Sequence, residues 1–188
     1  GSADIAVLGR TLKPEEKEAR LRGKPSYMAT LVCPRFSRTL HIKDRVKVPV
    51  DWITDISIDF HPSKPWMIVF LSTARNNFKY VTFEIHQHGS PESIADEIIR
   101  VCKTNVLRVG RVTIDPLAKG GTENQIDVFS QVSDRLASHG FVLETASKDK
   151  EVGISILNSL LWTENEMPGL FVFRDCVETV MELEDWMY

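Results

Sequence analysis

Ile53-Thr54-Asp55-Ile56-Ser57-Ile58-Asp59-Phe60-His61-Pro62 is the stretch on which the reading of this 188-residue chain turns. Ile53, Ile56, Ile58 and Phe60 give a strand-like run that carries Asp59 near its end, and Pro62 stops it. Two more runs follow at once. Trp66 to Thr73 (WMIVFLST) is almost continuously apolar, and Tyr80 to Ile85 (YVTFEI) comes after the polar turn Ala74 to Lys79. Three strands joined by short turns predict an antiparallel meander.

Working toward the C-terminus, Ser90 and Pro91 open a helix whose apolar positions Ile94, Ile98, Ile99, Val101 and Cys102 recur at helical spacing. Arg111 to Ile114 is then a short buried strand ending on Asp115-Pro116, and Lys119-Gly120-Gly121-Thr122 is a turn. A second helix is expected over 123–138, closed by His139-Gly140, where glycine suits the left-handed conformation. Phe141 to Thr145 is a strand, Lys150 to Leu161 a third helix, Leu170 to Phe173 another strand and Cys176 to Met187 a last amphipathic helix. Strands reached through helical crossovers must pair in parallel. The order is that of an α/β, RNase H-like fold: a central mixed β-sheet, antiparallel meander first and parallel strands after, flanked by helices.

Toward the N-terminus the pattern is looser. Leu12 to Leu21, with Pro14 in the first turn and Glu15, Glu16 and Glu18 at the positive end of the dipole, predicts a short exposed helix ended by Gly23 to Pro25. Ala29 to Cys33 and Thr39 to Ile42 read as edge or flap strands separated by Pro34. The expected organisation is one domain: residues 1–50 as a linker helix with extended flap segments, and 51–188 as the core.

Composition narrows the class. A hydrophobic share of 43% and a net charge of -3 describe a foldable chain with a substantial core. No basic excess marks it as a dedicated nucleic-acid binder, although basic residues cluster at Lys13 to Lys24, Arg35 to Lys47 and Lys103 to Arg111. Cys33, Cys102 and Cys176 have no CxxC spacing, so neither a zinc site nor a disulfide framework is expected, and a reducing, intracellular setting follows. No apolar run approaches the roughly 18 residues of a membrane span. Gly1-Ser2 reads as a cloning remnant, so the chain is expected to have been cut from something longer.

The chemistry rests on carboxylates. Asp59 closes Ile56-Ser57-Ile58-Asp59 and Asp115 closes Val112-Thr113-Ile114-Asp115; each directly follows a β-branched strand residue, with a proline close behind. Either one alone reads equally well as an acid that starts a turn. Together, on the first and fourth strands of this element order, they suit phosphodiester hydrolysis, in which hard divalent ions neutralise the attacking and leaving oxygens. Magnesium takes few carboxylates, so such a site is sparse in sequence. A third acid is expected where Lys148-Asp149-Lys150-Glu151 begins the third helix; Asp149 is preferred over Glu151, both being natural helix-start acids as well, and Lys148 is a candidate phosphate contact. Glu84 is a weaker candidate, because its alternation with Thr82 describes an exposed face. His86 and His88 lack a third nitrogen or sulfur ligand and read as ordinary polar residues. No GxxxxGK[ST] motif occurs, so the chain alone is not expected to hydrolyse ATP.

These residues resemble the C-terminal nuclease domain of the large terminase subunit of tailed bacteriophages, over almost the whole chain. Ile58-Asp59-Phe60 and Thr113-Ile114-Asp115-Pro116 look like that family's two strand-end metal aspartates. Ser147-Lys148-Asp149-Lys150-Glu151 with Gly153-Ile154 is similar to its late helix. The segment Leu12 to Lys24 resembles its approach from the ATPase domain, His41-Ile42 with Val48-Pro49 and Trp52 resembles the lead into the first nuclease strand, and Phe171 to Cys176 with Glu182-Leu183-Glu184 resembles its close. The Asp115 to Asp149 interval is short beside relatives with an inserted β-hairpin, and His61-Pro62 stands where many have a glycine-rich turn.

The resemblance implies an endonuclease cutting concatemeric double-stranded viral DNA during genome packaging, with Asp59, Asp115 and Asp149 holding two Mg2+ or Mn2+ ions. It also implies an upstream ATPase domain, portal protein and small terminase subunit as partners, and action on the procapsid in the host cytoplasm. Two rivals share the element order: another RNase H-like nuclease such as a junction resolvase, and a catalytically inactive protein-docking module.

Overall fold

The computed structural model describes residues 31–120 and 127–187. The expected N-terminal helix, the first residues of the Ala29 to Cys33 segment, Gly121-Thr122 and the start of the second predicted helix lie outside these. The described elements run α1 (Arg38–His41), β1 (Ile42–Lys43), β2 (Ile53–Asp59), β3 (Trp66–Thr73), β4 (Lys79–Gln87), α2 (Pro91–Thr104), β5 (Arg108–Ile114), a 3-10 turn (Pro116–Lys119), α3 (Val128–Ala137), β6 (Leu143–Thr145), α4 (Lys150–Leu161), β7 (Leu170–Phe173) and α5 (Val177–Asp185).

The seven strands form one sheet in the order β1-β7-β4-β3-β2-β5-β6. β2, β3 and β4 are the antiparallel meander; β5 joins β2 in parallel, β6 joins β5, and β7 and β1 extend the other edge beyond β4 in parallel. This is the mixed, helix-flanked RNase H-like sheet. Alternation sorts the side chains of β2: Thr54, Ile56 and Ile58 are buried on one face, whereas Asp55, Ser57 and Asp59 stand on the other.

That division gives two cores. On one face, Ile56, Ile58, Ile68, Phe70, Val112 and Ile114 meet Ile94 and Ile98 of α2 and Val132 and Leu136 of α3. Ser90 caps α2 by accepting from Ser93 N–H, and Asp127 caps α3 by accepting from Ser130 N–H. The second core joins Val81, Leu170, Val172 and Phe173 of the sheet to Leu161, Val180 and Leu183 of the C-terminal helices, and Val32, Cys33 and Val48 enter it from the segment before β2. Each fully buried aliphatic residue contributes about 1.5–3 kcal/mol of transfer free energy.

Two local expectations are corrected. Thr39 to Ile42 is not extended: Arg38–His41 is a single helical turn, and only Ile42 goes on into a strand. The cause is His41, whose buried ring accepts Ser37 N–H at Nδ1 (3.0 Å) and contacts the Leu161 carbonyl through Nε2 (2.9 Å), closing the turn. Thr82 lies not on an exposed face but in a buried hydroxyl chain, Thr54 Oγ1 to Ser72 Oγ at 2.8 Å and Ser72 Oγ to Thr82 Oγ1 at 2.9 Å. A bulge between Phe70 and Leu71 shifts the pairing with β4, so period-two counting from Glu84 assigns the wrong face.

Candidate active site

β2 and β5 run side by side in parallel, with Ser57 opposite Thr113 and Ile58 opposite Ile114. The next register step sets Asp59 beside Asp115, and Asp115 N–H donates to Ile58 O at 2.9 Å to hold it there. Both acids therefore leave the sheet at its carboxyl edge, where strand pairing ends and side chains are free to face a ligand. Pro116 begins the 3-10 turn, and one oxygen of Asp115 accepts Leu117 N–H at 2.6 Å, which fixes the side chain and leaves its second oxygen open.

Asp59 accepts no hydrogen bond from the described residues. Partial burial raises its pKa above the ordinary aspartate value, the nearby Asp115 charge raises it further, and His61 opposes them. Two carboxylates at one edge, with His61 offsetting the charge of Asp59, form an oxygen-rich pair. That is the donor chemistry a hard divalent ion requires.

The other predicted residues are placed differently. Asp149 is the N-cap of α4: its Oδ1 accepts Val152 N–H at 3.0 Å, and its own N–H donates to Ser147 Oγ at 3.2 Å. Lys148 and Glu151 are exposed beside it. Among the described residues, no three His, Cys, Asp or Glu side chains converge closely enough to enclose a metal ion. The structure thus brings Asp59 and Asp115 together and leaves Asp149 and Glu151 apart from them. Glu84 is committed elsewhere: its two oxygens accept Glu178 N–H, Thr179 N–H and the Thr179 hydroxyl at 2.8–2.9 Å, tying the start of α5 to the sheet. His86 faces Glu178 at 3.5 Å.

Residues that sequence reasoning passed over occupy the same face as the two acids. One row below them are Ser57, Thr113 and, opposite Thr113 on β6, Glu144; below that is Asp55 beside Arg111. Their signal was the period-two alternation along β2, β5 and β6, which becomes readable as a surface only when the register is known. A cavity of about 420 Å³ adjoins this face, with Asp55, Ser57, Arg111 and Thr113 on the sheet side and Gly153, Ile156, Leu157 and Leu160 of α4 opposite.

No family model matches the sequence, and no curated protein sequence does either. Solved structures do match. The large terminase of a thermophilic bacteriophage, in complex with ADP, superposes with a TM-score of 0.65 at 15% identity over 84% of this chain and 37% of that one. The nuclease domain of the P22 large terminase gives 0.60 at 14% identity, over 84% of this chain and 79% of that domain. The fold is that of the large terminase nuclease domain. The large terminase nuclease of the thermophilic phage G20c agrees, with 0.53 at 15% identity over 87% and 80% of the two chains. The chain spans little more than a third of the ADP-bound large terminase but most of the isolated terminase nuclease domains. Among the described residues, no helix is long and apolar enough to cross a membrane.

Proposed function

We propose that the chain is a metal-dependent endonuclease, the nuclease part of a phage large terminase, cutting concatemeric double-stranded DNA during genome packaging. The observation that carries this is the juxtaposition of Asp59 and Asp115 at the carboxyl edge of two parallel strands, in a fold shared with terminase nuclease domains. Two Mg2+ or Mn2+ ions would supply charge neutralisation for the attacking water and the leaving oxygen. Asp59 and the open oxygen of Asp115 are the ligands offered, and Asp149, at the start of α4, is the proposed third, with Glu151 two residues further on. Lys148, exposed beside Asp149, is the proposed phosphate contact at that corner.

The partners in this reading are double-stranded DNA, an ATPase domain in the same polypeptide, the portal protein and the small terminase subunit, with action on the procapsid in the host cytoplasm. Supercoiled plasmid incubated with the chain and Mn2+ or Mg2+ tests the proposal. Conversion to nicked and linear forms, abolished by EDTA and by Asp59→Ala or Asp115→Ala, is the expected result. Cleavage that persists in both variants would sink the site. Complete inactivity with every divalent ion would favour a protein-docking module, and selective cutting of four-way junctions a resolvase.

A further inference from the structure

Arg111 stands on the acid-bearing face of β5, four residues before Asp115 on the same strand. At about 3.3 Å per residue the two Cα atoms are roughly 13 Å apart along the strand, and even spacing puts both side chains on one face. Its surroundings separate it from six of the other described arginines. Arg38, Arg45, Arg75, Arg100, Arg135 and Arg174 each grip a carboxylate in a close ion pair. Arg111 is held by its backbone instead: Asp55 Oδ1 accepts the Arg111 N–H at 2.8 Å, while Asp55 Oδ2 stands 3.8 Å from the guanidinium, whose side chain is 75% exposed. Asp55 reaches that N–H because the neighbouring residue is Gly110, where a Cβ would fall 2.5 Å from the same oxygen. The pair lies at a register shift between β2 and β5, so the local distortion of the ladder is what brings Asp55 to Arg111.

A strand position fixed at its backbone, with a loosely engaged, exposed and planar guanidinium over the same face as the two strand-end acids, is suited to bidentate binding of an oxyanion. We infer that Arg111 seats a backbone phosphate of the DNA strand being cut, within about four nucleotides of the scissile bond, taking a rise of about 3.4 Å per nucleotide. This rests on the nuclease reading above and adds to it a positioning residue, outside the metal site, that acts on substrate register and not on the chemical step.

The test uses the full chain, a short duplex and Mn2+. Arg111→Gln is expected to raise the half-saturating DNA concentration about 10-fold while the saturating single-turnover rate stays within about twofold, and to lower the slope of log affinity against log salt by about one. Arg111→Lys should restore the salt slope and only part of the affinity, because it returns the charge without the fork. Arg75→Ala, at the far turn of the meander, should change neither. An Arg111→Gln protein that melts like wild type and keeps both the half-saturation and the slope overturns the inference while leaving the nuclease reading intact. A wild-type chain that neither binds nor cuts DNA overturns both. If Arg111→Gln fails to fold, neutral methylphosphonate linkages scanned along the duplex decide: one sensitive phosphate within four nucleotides of the cut, its effect reduced but kept in Arg111→Lys, supports it, and uniform insensitivity there overturns it.

Discussion

The backbone N–H of Asp115 donates to the carbonyl oxygen of Ile58 at 2.9 Å, so the last rung of the β2/β5 ladder is also the bond that sets Asp115 beside Asp59. The acids face each other because the strands end together. Removing either carboxylate therefore leaves that rung in place; at Asp59 it removes only donor oxygens, and at Asp115 it also removes the acceptor of Leu117 N–H. Asp59→Ala and Asp115→Ala are each expected to lower Mn2+-dependent plasmid cleavage by on the order of 10³-fold, about 4 kcal/mol of transition-state stabilisation, without loss of the folded state by circular dichroism.

The raised Asp59 pKa fixes the sign of a pH effect. The native carboxyl binds its proton more tightly than the unfolded one, so the stability this adds is fully present below the ordinary aspartate pKa and is lost as pH rises through the raised native value. Asp59→Asn cannot ionise. In EDTA at neutral pH it should melt above wild type, and the difference should disappear as the pH is lowered below about 4. Adding Mn2+ should reverse the order: a ligand at 100 times its dissociation constant stabilises wild type by about 2.7 kcal/mol, and the variant gains less. A melting order that ignores both pH and metal would remove Asp59 from the site.

Asp149 has two separable duties. As N-cap it accepts Val152 N–H, a bond worth about 0.5–2 kcal/mol that asparagine also makes. As a proposed metal ligand it needs the negative charge, which asparagine lacks. Asp149→Asn should thus melt within about 0.5 kcal/mol of wild type yet lose cleavage, whereas Asp149→Ala loses both. Full cleavage by Asp149→Asn, with loss in Glu151→Gln, would move the role two residues along the chain.

How much of this was legible depended on the range of the interactions involved. The meander, α2 and α4 announced themselves because period-two and helical patterns are local, and the Asp59/Asp115 pair was singled out by its place on the first and fourth strands of that element order. The face of Thr82, the turn at Arg38–His41 and the cap that Glu84 gives α5 did not. A bulge reversed the first, a histidine reaching Leu161 made the second, and the third joins residues more than ninety positions apart. Asp149 stayed ambiguous for a different reason, since capping and metal binding ask for the same residue at the same place.

Glu84 is the clearest of those long-range bonds to test. Its carboxylate satisfies three donors at the start of α5, two of them backbone N–H groups that the helix itself leaves unpaired. Glu84→Ala should cost about 1–3 kcal/mol and speed amide exchange selectively over Val177–Asp185. Glu84→Gln, which keeps acceptor capacity, should recover part of both.

Gly110 connects stability to the face that carries the acids. An added Cβ would meet Asp55 Oδ1 at 2.5 Å and Ile53 Cγ2 at 2.7 Å, distances that force the β2 side chains to move. Asp55 can retreat only by giving up the Arg111 N–H, and Ile53 stands at the start of the strand that ends on Asp59. Gly110→Ala should therefore cost about 1–3 kcal/mol, read as a lower urea midpoint at unchanged slope. Asp55→Ala in the same background removes the nearer clash and should recover part of that loss, so the double variant will be more stable than the sum of the two single effects. Simple additivity would mean that the strain falls on Ile53 and the β2 backbone, and that the Asp55 carboxylate yields without cost.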